Sequence, residues 1–213
     1  MRPDAGSDTP DSVFTTAVSV ELALGFLAIV LGFATGVDVR QWLPMAEWAN
    51  VFVMLRGIAF GILAAVPMLA AVALIERLDW ESLRSLKQFD DMPVIAVLLR
   101  LSHAELIVIS IAAGIGEELL LRGWLLALIT GPLDQATWFR IAAGLLISSA
   151  AFGVMHIITP AYAVIAGIFG LYLGVLVVLT HDLLIPIVAH AFYDAVHLIM
   201  AKRERNRDEL TTV

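Results

Sequence analysis

The chain contains no cysteine. That removes a disulfide framework, a thiolate zinc site and a cysteine nucleophile together, whatever the compartment. Charge is also scarce: Asp, Glu, Lys and Arg make up 15% of the 213 residues, against about 25% in soluble domains. Basic residues are the scarcer sign, 13 against 20 acidic, for a formal net charge of −7. The single dense basic run is Lys202, Arg203, Arg205 and Arg207. This argues against a nucleic-acid partner, since phosphate binding needs clustered Lys and Arg on a folded face. No internal repeat or low-complexity segment stands out. The first dozen residues hold Asp4, Asp8 and Asp11 with only Arg2 as a basic side chain. A cleavable signal peptide begins with a basic segment, so the first apolar stretch is expected to stay as a membrane anchor.

What the chain has instead is apolar surface: 60% of residues are hydrophobic and the mean hydropathy is +0.90. Nearly charge-free runs of the roughly 20 residues needed to cross a bilayer recur along it. The reading is an all-α, polytopic transmembrane bundle of about six spans, near 15–37, 51–75, 103–129, 138–158, 161–180 and 183–201. The divisions follow: a polar tail over 1–14, two spans with a cytoplasmic connecting segment over 15–102, a four-span core over 103–201, and a charged tail over 202–213. The polar connection 76–102 carries Arg77, Arg84, Lys87 and Arg100. Its apolar second half, 92–101, is expected to lie at the interface or to extend the third span. Basic residues in this connection, in the C-terminal tail and at Arg2 outnumber the lone Arg40 on the other side. Both termini are therefore expected in the cytoplasm, with the cell's inner (plasma) membrane as the location. Ala166, Gly170 and Gly174, at four-residue spacing in the fifth span, read as a helix-packing stripe.

A charge at mid-membrane costs about 2.5–3.5 kcal/mol even on lenient insertion scales, so each intramembrane ionisable residue is a functional candidate. The third span holds Glu117, Glu118 and Arg122, the fourth Phe152-Gly-Val-Met-His156, and the sixth His190-Ala-Phe-Tyr-Asp194. Glu118 and Arg122 are four apart on one helix, the spacing of an ion pair that lowers the cost of burying both. Glu117, rotated about 100° from Glu118, lacks that partner and suits general-base work. His190 and Asp194 share a face, so the carboxylate can orient the imidazole or join it at a metal. His156 is alone on its helix. His197 reads as structural, and Glu21 and Arg56 as interhelical or interface polar contacts. His103, Glu105, Arg140, His181 and Asp182 fall near span ends, where solvation makes them cheap.

Glu117-Glu118-x-x-x-Arg122, Phe152-x-x-x-His156 and His190-x-x-x-Asp194, in this order on three hydrophobic segments, resemble the CPBP family. These are the CAAX proteases and bacteriocin-processing (Abi, Ras-converting-type) intramembrane endopeptidases, and the resemblance covers about 103–201. It implies hydrolysis of a peptide bond in a membrane-associated protein or peptide, with Glu117 activating water and His156 assisting. It further implies that His190 and the residue at Asp194 stabilise the oxyanion while Glu118, Arg122 and Phe152 support the site. Asp194 stands where prenyl-protein-processing members have Asn. An ionised carboxylate is acceptor-only, so orienting His190 or ligating a metal suits it better. Glu117, His156, His190 and Asp194 also make an oxygen and nitrogen set for Zn²⁺ with an open water position. These residues leave a glutamate and a zinc mechanism both open.

Other protease chemistries fit less well, for want of HExxH and GxSxG motifs and of presenilin-like aspartates in the right order. Two readings compete from other classes. Intramembrane Glu, His and Asp also build proton or metal relays in transporters, although those usually need a repeat or a dimer. A non-catalytic immunity or scaffold protein would keep the fold without the chemistry.

Overall fold

A computed structural model of the chain describes residues 9–44, 50–77 and 93–211. It is a helical membrane bundle, and several of its helices begin on capping chemistry legible in the sequence. Helix α1, Pro10–Thr35, starts with Pro10 in its first turn behind an N-cap and capping box made by Thr9 and Ser12. It stops at Gly36, whose φ of 73° is the left-handed turn that glycine takes without strain. Helix α2, Val51–Arg77, carries Pro67 in its interior, as transmembrane helices tolerate. The short α3, Pro93–Leu98, precedes α4, His103–Glu118, which Ser102 caps through a capping box with Glu105. α4 runs on without a break through a π-helical stretch, Leu119–Leu126, and a last α turn, Ala127–Thr130. Thr137 caps α5, Trp138–Met155. Thr159 caps α6, Pro160–Thr180, which ends at His181 in the left-handed conformation. α7 is Leu184–Thr211.

Five of these helices are long and apolar enough to cross a membrane: Pro10–Thr35, Val51–Ile75, Trp138–Met155, Pro160–Thr180 and Leu184–Arg207. The other expected span, 103–129, is the α4 segment. It is helical throughout but concentrates Glu105, Glu117, Glu118 and Arg122, so its composition no longer resembles a lipid-facing helix. Those charges are affordable because α4 is the central helix, flanked by α1 and α7, with the α5–α6 hairpin against its π segment. α2 packs outside, on α7.

The two ends of the bundle are separate apolar clusters. One joins Leu101 and Leu106 to Phe14 and Val18 of α1 and Leu198 and Ile199 of α7. The other joins Trp42, Leu126, Ala127, Val177, Leu183 and Ile187. Successive long helices therefore run in alternating directions, and both described termini lie at the first end.

The expected boundaries shift in three places. α1 begins at Pro10 instead of 15, because the Thr9 cap lies there. The 202–213 segment is helix to Thr211, since Lys, Arg and Glu are good helix formers and no breaker follows Asp194. Lys202 bends back from it to donate to the carbonyls of Leu99 and Leu101 at 2.9 and 2.7 Å. α5 ends at Met155, not 158. Of the connecting segment, Arg84 and Lys87 lie outside the described residues, as does Arg2. Its apolar half does not extend α4: residues Pro93–Leu98 form the separate helix α3, packed on the start of α1.

Candidate active site

Glu117 and Glu118 close the α-helical part of α4, and their 100° separation sends them to different neighbours. Glu118 is fully buried. Its Oε1 accepts from Arg122 Nη1 at 2.7 Å and from His190 Nδ1 of α7 at 3.0 Å. The second guanidinium nitrogen of Arg122 donates to the Gly170 carbonyl of α6 at 2.6 Å. The guanidinium also lies 4.8 Å from the centre of the Phe152 ring of α5, a cation–π contact in a dry setting. Gly170 is small for this reason: a Cβ there would come 3.1 Å from Phe152 and 3.2 Å from Arg122. The expected ion pair is present, and it fastens α4, α5, α6 and α7 together.

Glu117, 6% exposed, faces the end of α5. Its Oε2 lies 3.8 Å from His156 Nε2 and has no hydrogen-bond donor among the described residues. His156 is the residue after α5's last turn, with φ −103° and ψ 24°, not a residue within the helix as its place in an apolar run implied. The Ile157–Thr159 turn before Pro160 follows from it. Its Nδ1 is 2.9 Å from the Phe152 carbonyl. That oxygen can only accept, so the proton sits on Nδ1 and a neutral ring presents a bare Nε2 to Glu117. The ring is held flat on Phe152, with centroids 4.5 Å apart and planes 16° apart.

His190 is also buried. Glu118 anchors its Nδ1, and its Nε2 is in looser contact with Asp194 Oδ2 at 3.3 Å. The side chains of His156 and Asp194 are 24% and 29% exposed, against 7% for Glu117 and 4% for His190. Access is thus from the His156 and Asp194 side, near the turn joining α5 to α6.

All seven residues singled out by motif, Glu117, Glu118, Arg122, Phe152, His156, His190 and Asp194, therefore meet in one place. Among the described residues no three His, Asp or Glu side chains are gathered to hold a metal ion, and both nitrogens of His190 already face carboxylates. His197 stacks on Tyr193, 5.7 Å between centroids, in keeping with a structural role. Asp182 caps α7 by accepting from the Leu184 amide, and Arg140 donates to the Ile129 carbonyl. Arg56 is exposed and lines, with Thr180 and Asp182, an outer cavity of about 500 Å³ between α2, α6 and α7.

Sequence reasoning missed three participants. The Gly170 carbonyl gives no sequence signal, and neither does Tyr162, whose ring is 6.3 Å from His156. Glu21 did give one, a lone carboxylate in an apolar span. It was assigned to interhelical contact, whereas it lies within electrostatic reach of His190, Asp194 and Glu117.

Residues 100–196 match the family model for type II CAAX prenyl endopeptidases, Rce1-like. This segment is similar to the CAAX protease family that the motifs resemble, and it contains all seven residues. The match supports a CAAX-type intramembrane protease at the level of the family. α1 and α2 lie outside the match. No curated protein and no solved structure matches the chain.

Proposed function

We propose that this protein is an intramembrane endopeptidase that hydrolyses a peptide bond of a membrane-associated protein or peptide, with Glu117 and His156 activating water. The observation that carries the reading is the pair of acceptors, Glu117 Oε2 and His156 Nε2, 3.8 Å apart on different helices. That distance is too long for a direct hydrogen bond and short enough for one water to donate to both. Such a water loses a proton to Glu117 as it attacks the carbonyl. The amide's developing oxygen charge needs a donor held in place beforehand. His190, pinned at Nδ1 by Glu118, offers Nε2–H by exchanging its loose contact with Asp194 for the oxyanion. The proton on Glu117 then passes to the leaving amine. Arg122 and Phe152 keep these parts in register.

The arrangement favours glutamate over zinc, because His156 offers the one free imidazole nitrogen among the four residues, both nitrogens of His190 facing carboxylates. The matched family, prenyl endopeptidases, points to substrates with a prenylated C-terminus. The basic tail and connecting segment favour a plasma-membrane protein with both termini in the cytoplasm, so that the site opens on the cytoplasmic side.

The test uses purified protein in liposomes with a membrane-anchored peptide substrate. Glu117→Gln and His156→Ala are each expected to lower turnover by at least about a thousandfold, the scale on which an essential base counts. Both should still accumulate as folded protein. Full turnover in either variant overturns the site, and stoichiometric zinc in the active protein, lost in His190→Ala, overturns the glutamate mechanism.

A further inference from the structure

α1 belongs to no matched domain, yet it touches α4 backbone to backbone at the level of the site. A Cβ on Gly116 would fall 2.2 Å from the Glu21 carbonyl oxygen, and one on Gly25 would sit 3.5 Å from Gly116 Cα. This approach, open only to glycine, brings the Glu21 carboxylate within electrostatic reach of His190, Asp194 and Glu117. The Oε2 of Glu21 is buried without a hydrogen-bond donor, as are Oε2 of Glu117 and Oε2 of Glu118. Glu117 and Glu118 are themselves more than nine-tenths buried.

Four carboxylates, those of Glu21, Glu117, Glu118 and Asp194, thus face a short supply of donors. Arg122 Nη1 and Nη2 are committed to Glu118 and the Gly170 carbonyl, its buried Nε alone being unpaired, and His190 stands between Glu118 and Asp194. An unmatched buried carboxylate is costly, so a packing role alone does not account for Glu21. Glu118 is braced and Glu117 is assigned to water, which leaves Glu21 as the acceptor free for an incoming group. It is also badly suited to the oxyanion, which a neighbouring carboxylate would repel.

We propose that Glu21 determines substrate specificity: its buried oxygen accepts a hydrogen bond from a Lys or Arg side chain close to the scissile bond. The proposal rests on the protease reading for the identity of the ligand as a peptide. It assigns α1, outside the Rce1-like domain, a part in choosing what that domain cuts.

Binding can be measured apart from cleavage. The full-length Glu117→Gln variant in lipid nanodiscs is titrated with acylated peptides carrying Lys, norleucine or Glu at each of three positions on either side of the target bond. At one position Lys should bind roughly tenfold or more tighter than norleucine, as a charge-assisted hydrogen bond implies, with Glu weakest. Adding Glu21→Gln should bring that ratio close to one, and Glu21→Asp should restore part of it. A uniform weakening of all peptides would mark a structural role and overturn the proposal. So would an unchanged ratio, or the lack of a Lys preference at every position. Failure of the unsubstituted protein to cleave any of these peptides would count against the protease reading, while the binding ratios still decide the role of Glu21.

Discussion

A guanidinium inside a bilayer needs acceptors for its donors, and Arg122 finds them for Nη1 and Nη2 on two elements, the Glu118 carboxylate and the Gly170 carbonyl, while its buried Nε is unpaired. Losing Arg122 alone would strand a fully buried Glu118, with only His190 to face it. Removing one partner of a buried pair costs about 3–5 kcal/mol, whereas replacing both with apolar side chains of similar volume is often close to neutral. Arg122→Ala should therefore unfold markedly earlier in thermal denaturation in detergent, or fail to accumulate. The double change Glu118→Leu with Arg122→Met should recover at least about 2 kcal/mol of that loss and remain inactive, because His190 loses its Nδ1 anchor. A double variant as unstable as the single would show that the pair is needed for folding. An active double variant would show that neither side chain positions the site.

At the scale of elements, the position of His156 depends on how closely α5 and α6 approach. A Cβ on Gly153 would meet the Ala163 carbonyl oxygen at 2.6 Å, while one on Gly167 would find its nearest atom, the Ser149 carbonyl oxygen, at an ordinary 3.5 Å. Gly153→Ala must push the helices apart, an overpacking cost of about 1–3 kcal/mol, and it moves His156, three residues on, away from Glu117. Misplacement of a catalytic group by an ångström costs on the order of a hundredfold in rate. Peptide cleavage should thus fall by about that factor in Gly153→Ala and stay near the original level in Gly167→Ala. Equal effects would separate the α5–α6 contact from catalysis. This contact also marks how far the sequence can be read. The spans, the caps at Ser102 and Thr159, and the pairing of Glu118 with Arg122 follow from hydropathy, short-range capping and helical spacing. The end of α5 before His156 does not, because Ile157 and Ile158 continue the apolar run and hide the turn. The π-helical stretch after Glu118 leaves no mark in spacing either. Glu21 shows where a correct local signal is insufficient, since only the approach of α1 to Gly116 tells that its carboxylate faces the site rather than another helix.

For the molecule as a whole, six helical passages in alternating directions put the start of α1 and the end of α7 at one end of the bundle. The turns after α1 and after α4 lie at the other, where Leu183 N donates to the Trp42 carbonyl. The site is nearer the first end, because His156 follows the last turn of α5 and Asp194 is half-exposed toward it. The proposed orientation follows from charge: the basic tail lies at the first end and Arg40 at the second, and basic residues tend to be retained on the cytoplasmic side. Under the proposed function, a protease so oriented would draw on substrates presented from the cytoplasm. The absence of cysteine makes this directly measurable, since any introduced thiol is the chain's single one. Ser12→Cys and Asn206→Cys are exposed at the first end, and Gln41→Cys and Gln135→Cys at the second. In intact cells a membrane-impermeant maleimide should label Gln41→Cys and Gln135→Cys at once, and Ser12→Cys and Asn206→Cys only after permeabilisation. The reverse pattern would place the site on the outer face and rule out cytoplasmic substrates. Labelling that split Ser12→Cys from Asn206→Cys would mean an odd number of crossings, and α4, the one helix too charged to qualify by composition, would then be the passage that does not span.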